Sequence, residues 1–157
     1  LHILKKNNIP FKCLLAGSEI NYKNNDLMQD IIKMNLDKDI VLLDELNNLN
    51  KFMKLIDVNV LSSNDESFPN VIGEAMSKGI PCIATDVGDT GFLIADTGWL
   101  VKKSDPGMMS DSLRDAFNEW SAGNDIWSNR QISSYERIKV NFNQDKMLSS
   151  FHKIWSS

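Results

Sequence analysis

Four aliphatic runs of strand length, at residues 12–16, 40–43, 58–61 and 80–85, alternate with stretches whose apolar residues fall at helical spacing. Connections this long exceed what a hairpin needs. The alternation therefore predicts parallel strands joined by right-handed βαβ units. The first three runs barely alternate between apolar and polar residues, as expected where helices cover both faces of a sheet. The fold class read from this pattern is α/β, a doubly wound, Rossmann-like parallel sheet forming one domain over residues 1–157. In such sheets ligands bind outside the carboxyl ends of the strands. Here that edge is expected at Gly17-Ser18-Glu19 and at residues 44–47, 62–70 and 85–91.

Residues 1–8 read as the tail of an amphipathic helix, and because no initiator Met precedes Leu1, a missing upstream segment is expected. A helix over residues 26–35 carries Leu27, Ile31, Ile32 and Leu36 at helical spacing, with Asp26 as its expected N-cap. Another starts at Asn48 or Asn50 and presents Leu49, Phe52, Met53 and Ile56. The next runs from Pro69 or Asn70 to Lys78, where Gly79 and Pro81 stop it. Short apolar runs at 92–95 and 99–101 precede closing helices over 105–120, 125–140 and 144–155. Most of Trp120, Trp127, Phe142, Phe151 and Trp155 are expected in the core, the rest leaving an exposed apolar patch.

Composition excludes several classes. With 17 Lys+Arg against 21 Asp+Glu, the net charge of -4 argues against a nucleic-acid partner, which needs clustered cations; Lys102-Lys103 is too short a cluster. No apolar run reaches the ~18–20 residues that span a bilayer. Cys13 and Cys82 each lie inside an apolar run, as small buried hydrophobes rather than disulfide or metal ligands. A reducing, cytoplasmic compartment is expected.

The chemistry concentrates in residues 62–88. Glu66 lies in the loop leaving a strand, and Glu74, eight residues later, lies in the first or second turn of the following helix. Helical side chains lean toward the N-terminus, so Glu74 is expected to project back toward the mouth of the loop and share a cleft with Glu66. Pro69 suits a helix start, and the amides of residues 70–72 are expected as free donors to an anion such as a diphosphate. A carboxylate beside phosphate is repelled, so Glu74 better accepts hydrogen bonds from vicinal hydroxyls, as acidic residues do for ribose in dinucleotide folds. An acidic residue near a helix start is also favoured by the macrodipole alone, and Gly79 and Pro81 need no role beyond helix termination.

Glu66-Ser-Phe-Pro-Asn-Val-Ile-Gly-Glu74, with Ala75-Met76 and Gly79-Ile-Pro81, resembles the E-x7-E signature of the family 4 retaining glycosyltransferases. The likeness is to the nucleotide-sugar-binding C-terminal domain of the two-Rossmann GT-B architecture. It extends to Leu15-Ala-Gly17, Ile56-Asp-Val-Asn-Val-Leu-Ser62, Ala84-Thr-Asp-Val-Gly-Asp89, Asp96-Thr-Gly98 and the Glu136-Arg-Ile-Lys-Val-Asn-Phe142 helix with Lys146-Met147. The resemblance implies that Glu74 binds the donor ribose and that Glu66 lies near the sugar hydroxyls and the anomeric centre. It implies that the backbone of Ser67, Phe68, Pro69, Asn70 and Val71, continued by Ile72, holds the sugar and diphosphate. Gly17 would pack against the nucleotide, and the 43–47 loop, with Leu46, would lie near the base; a position often held by glycine in the family is Asp44 here.

The implied reaction moves a hexose or N-acetylhexosamine from a nucleotide-diphosphate sugar, here a UDP-sugar, to a saccharide or polyprenyl-diphosphate-linked acceptor with retention. No metal or other cofactor is expected, and His2 and His152 are too far apart in sequence to form a ligand cluster. Such enzymes commonly build O-antigen, capsule or lipopolysaccharide at the inner membrane face, which implies peripheral membrane association of the full-length protein. The family's cationic diphosphate ligands and its acceptor domain lie upstream of Leu1, so the chain alone is expected to bind donor weakly and not to turn over. A glycoside hydrolase would also use two carboxylates, but the sheet-edge setting favours transfer from an activated donor. The other classes weighed are a non-catalytic nucleotide-sugar-binding or regulatory module and a flavodoxin-like receiver, whose acidic pair after the first strand Gly17-Ser18-Glu19 does not supply.

Overall fold

A computed structural model describes residues 1–46 and 48–155. The chain divides into two compact units, Leu1–Leu55 and Ile56–Ser157. In the first, helix α1 (His2–Lys6) is followed by β1 (Cys13–Leu15), α2 (Asn25–Lys33), β2 (Ile40–Leu42) and α3 (Leu49–Met53). β1 and β2 pair in parallel, Cys13 opposite Ile40 and Leu15 opposite Leu42. Ile31, Leu36, Ile40 and Leu42 form the core of this unit, packed by Phe11, Leu15, Ile20, Leu27 and Met28. Lys5 Nζ binds Asp39 Oδ2 at 2.6 Å and also the Asn35 carbonyl, fastening α1 to the turn before β2.

The second unit runs β3 (Asn59–Leu61), α4 (Asn70–Met76), β4 (Cys82–Thr85), α5 (Thr90–Ile94), β5 (Trp99–Val101), α6 (Pro106–Ser121), α7 (Asn124–Asn141) and α8 (Gln144–Trp155). Its parallel sheet has the order β3-β4-β5. All four residues of β4 are buried, the burial expected of a central strand covered on both faces. On one face Ile83 packs with Val101, Ala116 of α6 and Trp127 of α7. On the other, the Cys82 thiol lies 3.9 Å from the Ile72 carbonyl of α4. Burial pushes the Cys82 thiol up to about 12, with a smaller opposing effect from the Asn59 amide, so it is a packing group and not a nucleophile at neutral pH.

Two local expectations are corrected, and one open segment is assigned. Asn24, not Asp26, caps α2, its side-chain oxygen accepting from Leu27 N at 3.1 Å; the helix starts at Asn25, which puts Asp26 inside its first turn. The apolar run at 92–95, left unassigned by its sequence, supplies Phe92, Leu93 and Ile94 to helix α5, with Ala95 as its C-cap; Thr90, Leu93 and Ile94 are buried while Phe92 is 64% exposed. Of the large aromatics in the closing helices, Trp127 is buried and Phe142 half-buried, but Trp120 and Trp155 are 51% and 82% exposed, and the Phe151 side chain lies outside what is described. Among the described residues no helix is long and apolar enough to cross a membrane.

Ala95, which ends α5, has φ 49 and ψ -124, and Thr97 N donates across it to Ile94 O at 3.1 Å. This is the first central position of a type II′ turn, one that favours glycine. Ala95→Gly is expected to stabilise the second unit by about 0.5–1 kcal/mol, relief of strain outweighing the added chain entropy. All four tryptophans (Trp99, Trp120, Trp127 and Trp155) belong to this unit, so their fluorescence in a urea titration reads the effect. A lowered midpoint would refute the strain.

Candidate functional site

β3 ends at Leu61, and the chain leaves the carboxyl edge of the sheet through the loop that carries Glu66. The loop is held at several points. Ser63 Oγ donates to Glu66 Oε1 at 2.7 Å, and the Ser63 carbonyl accepts from Thr85 Oγ1, at the end of β4, at 2.5 Å. Asn64 Oδ1 accepts from Ser104 Oγ, beyond β5, at 3.4 Å. Asp89 N donates to Ser67 O at 3.0 Å. Gly88, at φ +52, presses against the same peptide: a Cβ there would stand 1.9 Å from Glu66 O and 2.7 Å from Ser67 O. The absence of a side chain at Gly88 is thus a condition for the path of the loop.

Glu66 is half-buried, while Ser67 and Phe68 are exposed. Pro69 is buried and forms the N-cap of α4 without a side-chain hydrogen bond. Asn70 and Val71 keep amides that donate to no group among the described residues, as the first turn of a helix dictates. The Ile72 amide differs from expectation, since it donates to Pro69 O at 3.0 Å. The Ile72 side chain is fully buried, so its contribution is to the core. Glu74 is the fifth residue of α4 and therefore in its second turn; it is exposed, and its carboxylate has no hydrogen-bond or ion-pair partner among the described residues. Gly73 beside it has open space where a Cβ would be.

Gly17 and Leu46 belong to the first unit. Gly17, at φ +151, donates its amide to Asp44 O at 3.0 Å, so the exits of β1 and β2 are tied together. Asp44 itself has φ 55, which explains why glycine suits this position; aspartate is among the residues that tolerate the left-handed region. Its carboxylate accepts from Asn21 Nδ2 at 3.1 Å. Leu46 is half-buried in the following loop, and Asn47, which closes the expected segment, lies outside the described residues.

The sequence singled out both carboxylates and the loop between them. It missed Ser63 and Thr85 as the groups that hold Glu66, and Gly88 as the surface against which the loop lies. The glycine- and aspartate-rich run over 86–91 was the available signal for Gly88. Ser63 and Thr85 carried none, because serine in a loop and threonine in a strand are ordinary.

Residues 1–119 match the family described as Glycosyl transferases group 1. Among curated proteins, the chain is 26% identical over 146 residues to N-acetyl-alpha-D-glucosaminyl L-malate synthase of Bacillus anthracis, covering 92% of this chain and 37% of that protein. It is 30% identical over 106 residues to UDP-Gal:alpha-D-GlcNAc-diphosphoundecaprenol alpha-1,3-galactosyltransferase of Escherichia coli, covering 66% of this chain and 27% of the relative. The chain thus spans roughly a third of the length of these relatives. A glycosyltransferase from Rickettsia africae superposes with a TM-score of 0.84 at 20% identity, over 98% of this chain and 41% of that one, which establishes a common fold. The α/β fold with parallel sheets, Rossmann-like in its βαβ units, is the one found in GT-B glycosyltransferases. By the match over three quarters of its length, this chain belongs to the group 1 glycosyl transferases.

Proposed function

We propose that the chain is the donor-binding, C-terminal part of a retaining glycosyltransferase of family 4. It takes a hexose or N-acetylhexosamine from a UDP-sugar for transfer to a lipid-linked or saccharide acceptor in bacterial surface polysaccharide synthesis. One observation carries this reading. Glu66 is held in a loop fastened to two neighbouring strand exits, and eight residues later Glu74 offers a carboxylate with no partner among the described residues. The E. coli relative is named for transfer from UDP-Gal to a diphosphoundecaprenol-linked sugar, which supports the donor and acceptor classes.

In this reading Glu74 accepts the two ribose hydroxyls. Glu66 accepts a hydroxyl of the transferred sugar and lies beside the anomeric carbon. The glycosidic C–O bond breaks, the UDP diphosphate takes the electron pair, and the acceptor oxygen forms the new bond on the face the nucleotide left while its hydroxyl proton passes to the departing diphosphate. The amides of Asn70 and Val71 supply fixed dipoles to the leaving diphosphate. Cationic ligands and the acceptor pocket come from the remainder of the whole protein, with no resident metal required. The whole protein then works in the cytoplasm, peripheral to the inner membrane face where lipid-linked acceptors lie.

Calorimetric titration with UDP, UDP-hexoses and GDP-mannose tests the assignment. Glu74→Gln is expected to weaken UDP and every UDP-sugar alike by roughly 10–100-fold, the scale of charge-assisted hydrogen bonds to a carboxylate. Equal binding by wild type and variant would remove Glu74 from the ribose.

A further inference from the structure

We infer that Ser63 is the positioning residue of Glu66, fixing which carboxylate oxygen meets the transferred sugar; the inference rests on the donor-binding reading above. The Ser63 hydroxyl donates to Glu66 Oε1 at 2.7 Å. The serine is itself held, because its carbonyl accepts from Thr85 Oγ1 at 2.5 Å and Thr85 is 4% exposed at the end of β4. A path of two hydrogen bonds therefore runs from the buried centre of the sheet to a half-buried carboxylate in the loop. Two further contacts, from Asp89 N to Ser67 O and from Gly88 to the Glu66 carbonyl, set the backbone on which that carboxylate stands.

The chemistry of the partner matters. A glutamate side chain has several rotatable bonds and is costly to immobilise. A lysine or arginine would immobilise it but would set a compensating positive charge beside it. Serine is a neutral donor, so it fixes Oε1 without setting a positive charge beside the carboxylate, and among the described residues Glu66 has no cation partner. Oε2 is left as the acceptor, with no partner among the described residues. A carboxylate held by one oxygen and open at the other suits the recognition of a single hydroxyl in a set direction. It also brings no compensating cation to a carbon that becomes electron-poor as its leaving group departs.

A bland role for Ser63, closing the turn from residue 63 to residue 66, predicts something different. Loss of the turn would disturb the whole loop and α4, and with it UDP and UDP-sugar equally. Loss of positioning would touch only ligands that carry the sugar. The test titrates the whole protein that carries this chain with UDP, UDP-glucose, UDP-galactose and UDP-N-acetylglucosamine, using wild type, Ser63→Ala, Ser63→Thr and Glu66→Gln. Circular dichroism melts show that each variant is folded. Ser63→Ala is expected to bind UDP within two-fold of wild type but to lose five- to ten-fold in affinity for the UDP-sugar that binds best; Ser63→Thr, which keeps the hydroxyl, should restore it. Equal weakening of UDP and UDP-sugar, or no weakening of either, would overturn the inference. If Glu66→Gln weakens only the sugar-bearing ligands while Ser63→Ala matches wild type, the donor-binding reading stands and the positioning role falls. If wild type binds none of the four, the reading fails and takes the inference with it.

Discussion

Gly88→Ala is expected to destabilise the second unit by roughly 3 kcal/mol or more and to lower UDP-sugar affinity at least ten-fold. Two costs add. The residue has φ +52, where an alanine carries roughly 1 kcal/mol of steric strain. The new methyl group would stand 1.9 Å from the Glu66 carbonyl oxygen, and that neighbour is backbone, so relief requires the chain to move. Gly88 stands in the short loop between the buried end of β4, Thr85, and the fully buried Thr90 of α5, so much of the movement falls on the loop carrying Glu66 and Ser67. Movement would break the Asp89 N to Ser67 O hydrogen bond and shift Glu66 relative to Ser63. Tryptophan fluorescence in urea reads the stability, and calorimetry at a temperature where the variant is folded reads the affinity. Wild-type affinity in a folded Gly88→Ala variant would show that the position of Glu66 does not matter to the donor.

The course of the chain was legible because hydrophobic periodicity is local. β1, β2, β3, β4 and β5 each fall inside an apolar run visible in the sequence, and α4 begins at Asn70, one of the two starts expected from Pro69. The errors are also local. Asn24, Asn25 and Asp26 are all good capping residues, and which one serves is set by the residue at which the helix starts, here Asn25. The candidate site was legible as a pair of carboxylates at fixed spacing, but how one of them is held was not. Thr85 and Ser63 are 22 residues apart, and Gly88 and Glu66 also lie 22 apart; these contacts exist only because β3 and β4 lie side by side. Exposure was the other property beyond reach: Ile72 and Glu74 share one short helix, yet one is fully buried and the other exposed, a division set by what α4 packs against.

Gly98→Ala separates stability from binding in the same unit. Gly98 immediately precedes β5, and a Cβ there would lie 2.3 Å from the Cys82 carbonyl oxygen and 2.9 Å from Ile94 Cγ2. Cys82 opens the central strand and Ile94 is fully buried, so neither neighbour can give way without disturbing the core. A loss of about 2–4 kcal/mol is expected, read by the tryptophans of this unit in a urea titration. Gly107→Ala is the control: it stands in the first turn of α6, where a Cβ would meet only Asp105 Oδ1, at 3.4 Å, and alanine is the better helix former. It should be neutral or slightly stabilising. Gly98 lies at the amino end of β5, whereas Glu66 leaves the carboxyl end of β3, and the two strands run in the same sense on either side of β4. At low temperature, where the Gly98→Ala protein is still folded, UDP-sugar affinity should therefore equal that of wild type. A proportional loss of affinity would mean that the donor site draws on the rigidity of the whole sheet and not on the clamped loop at its carboxyl edge.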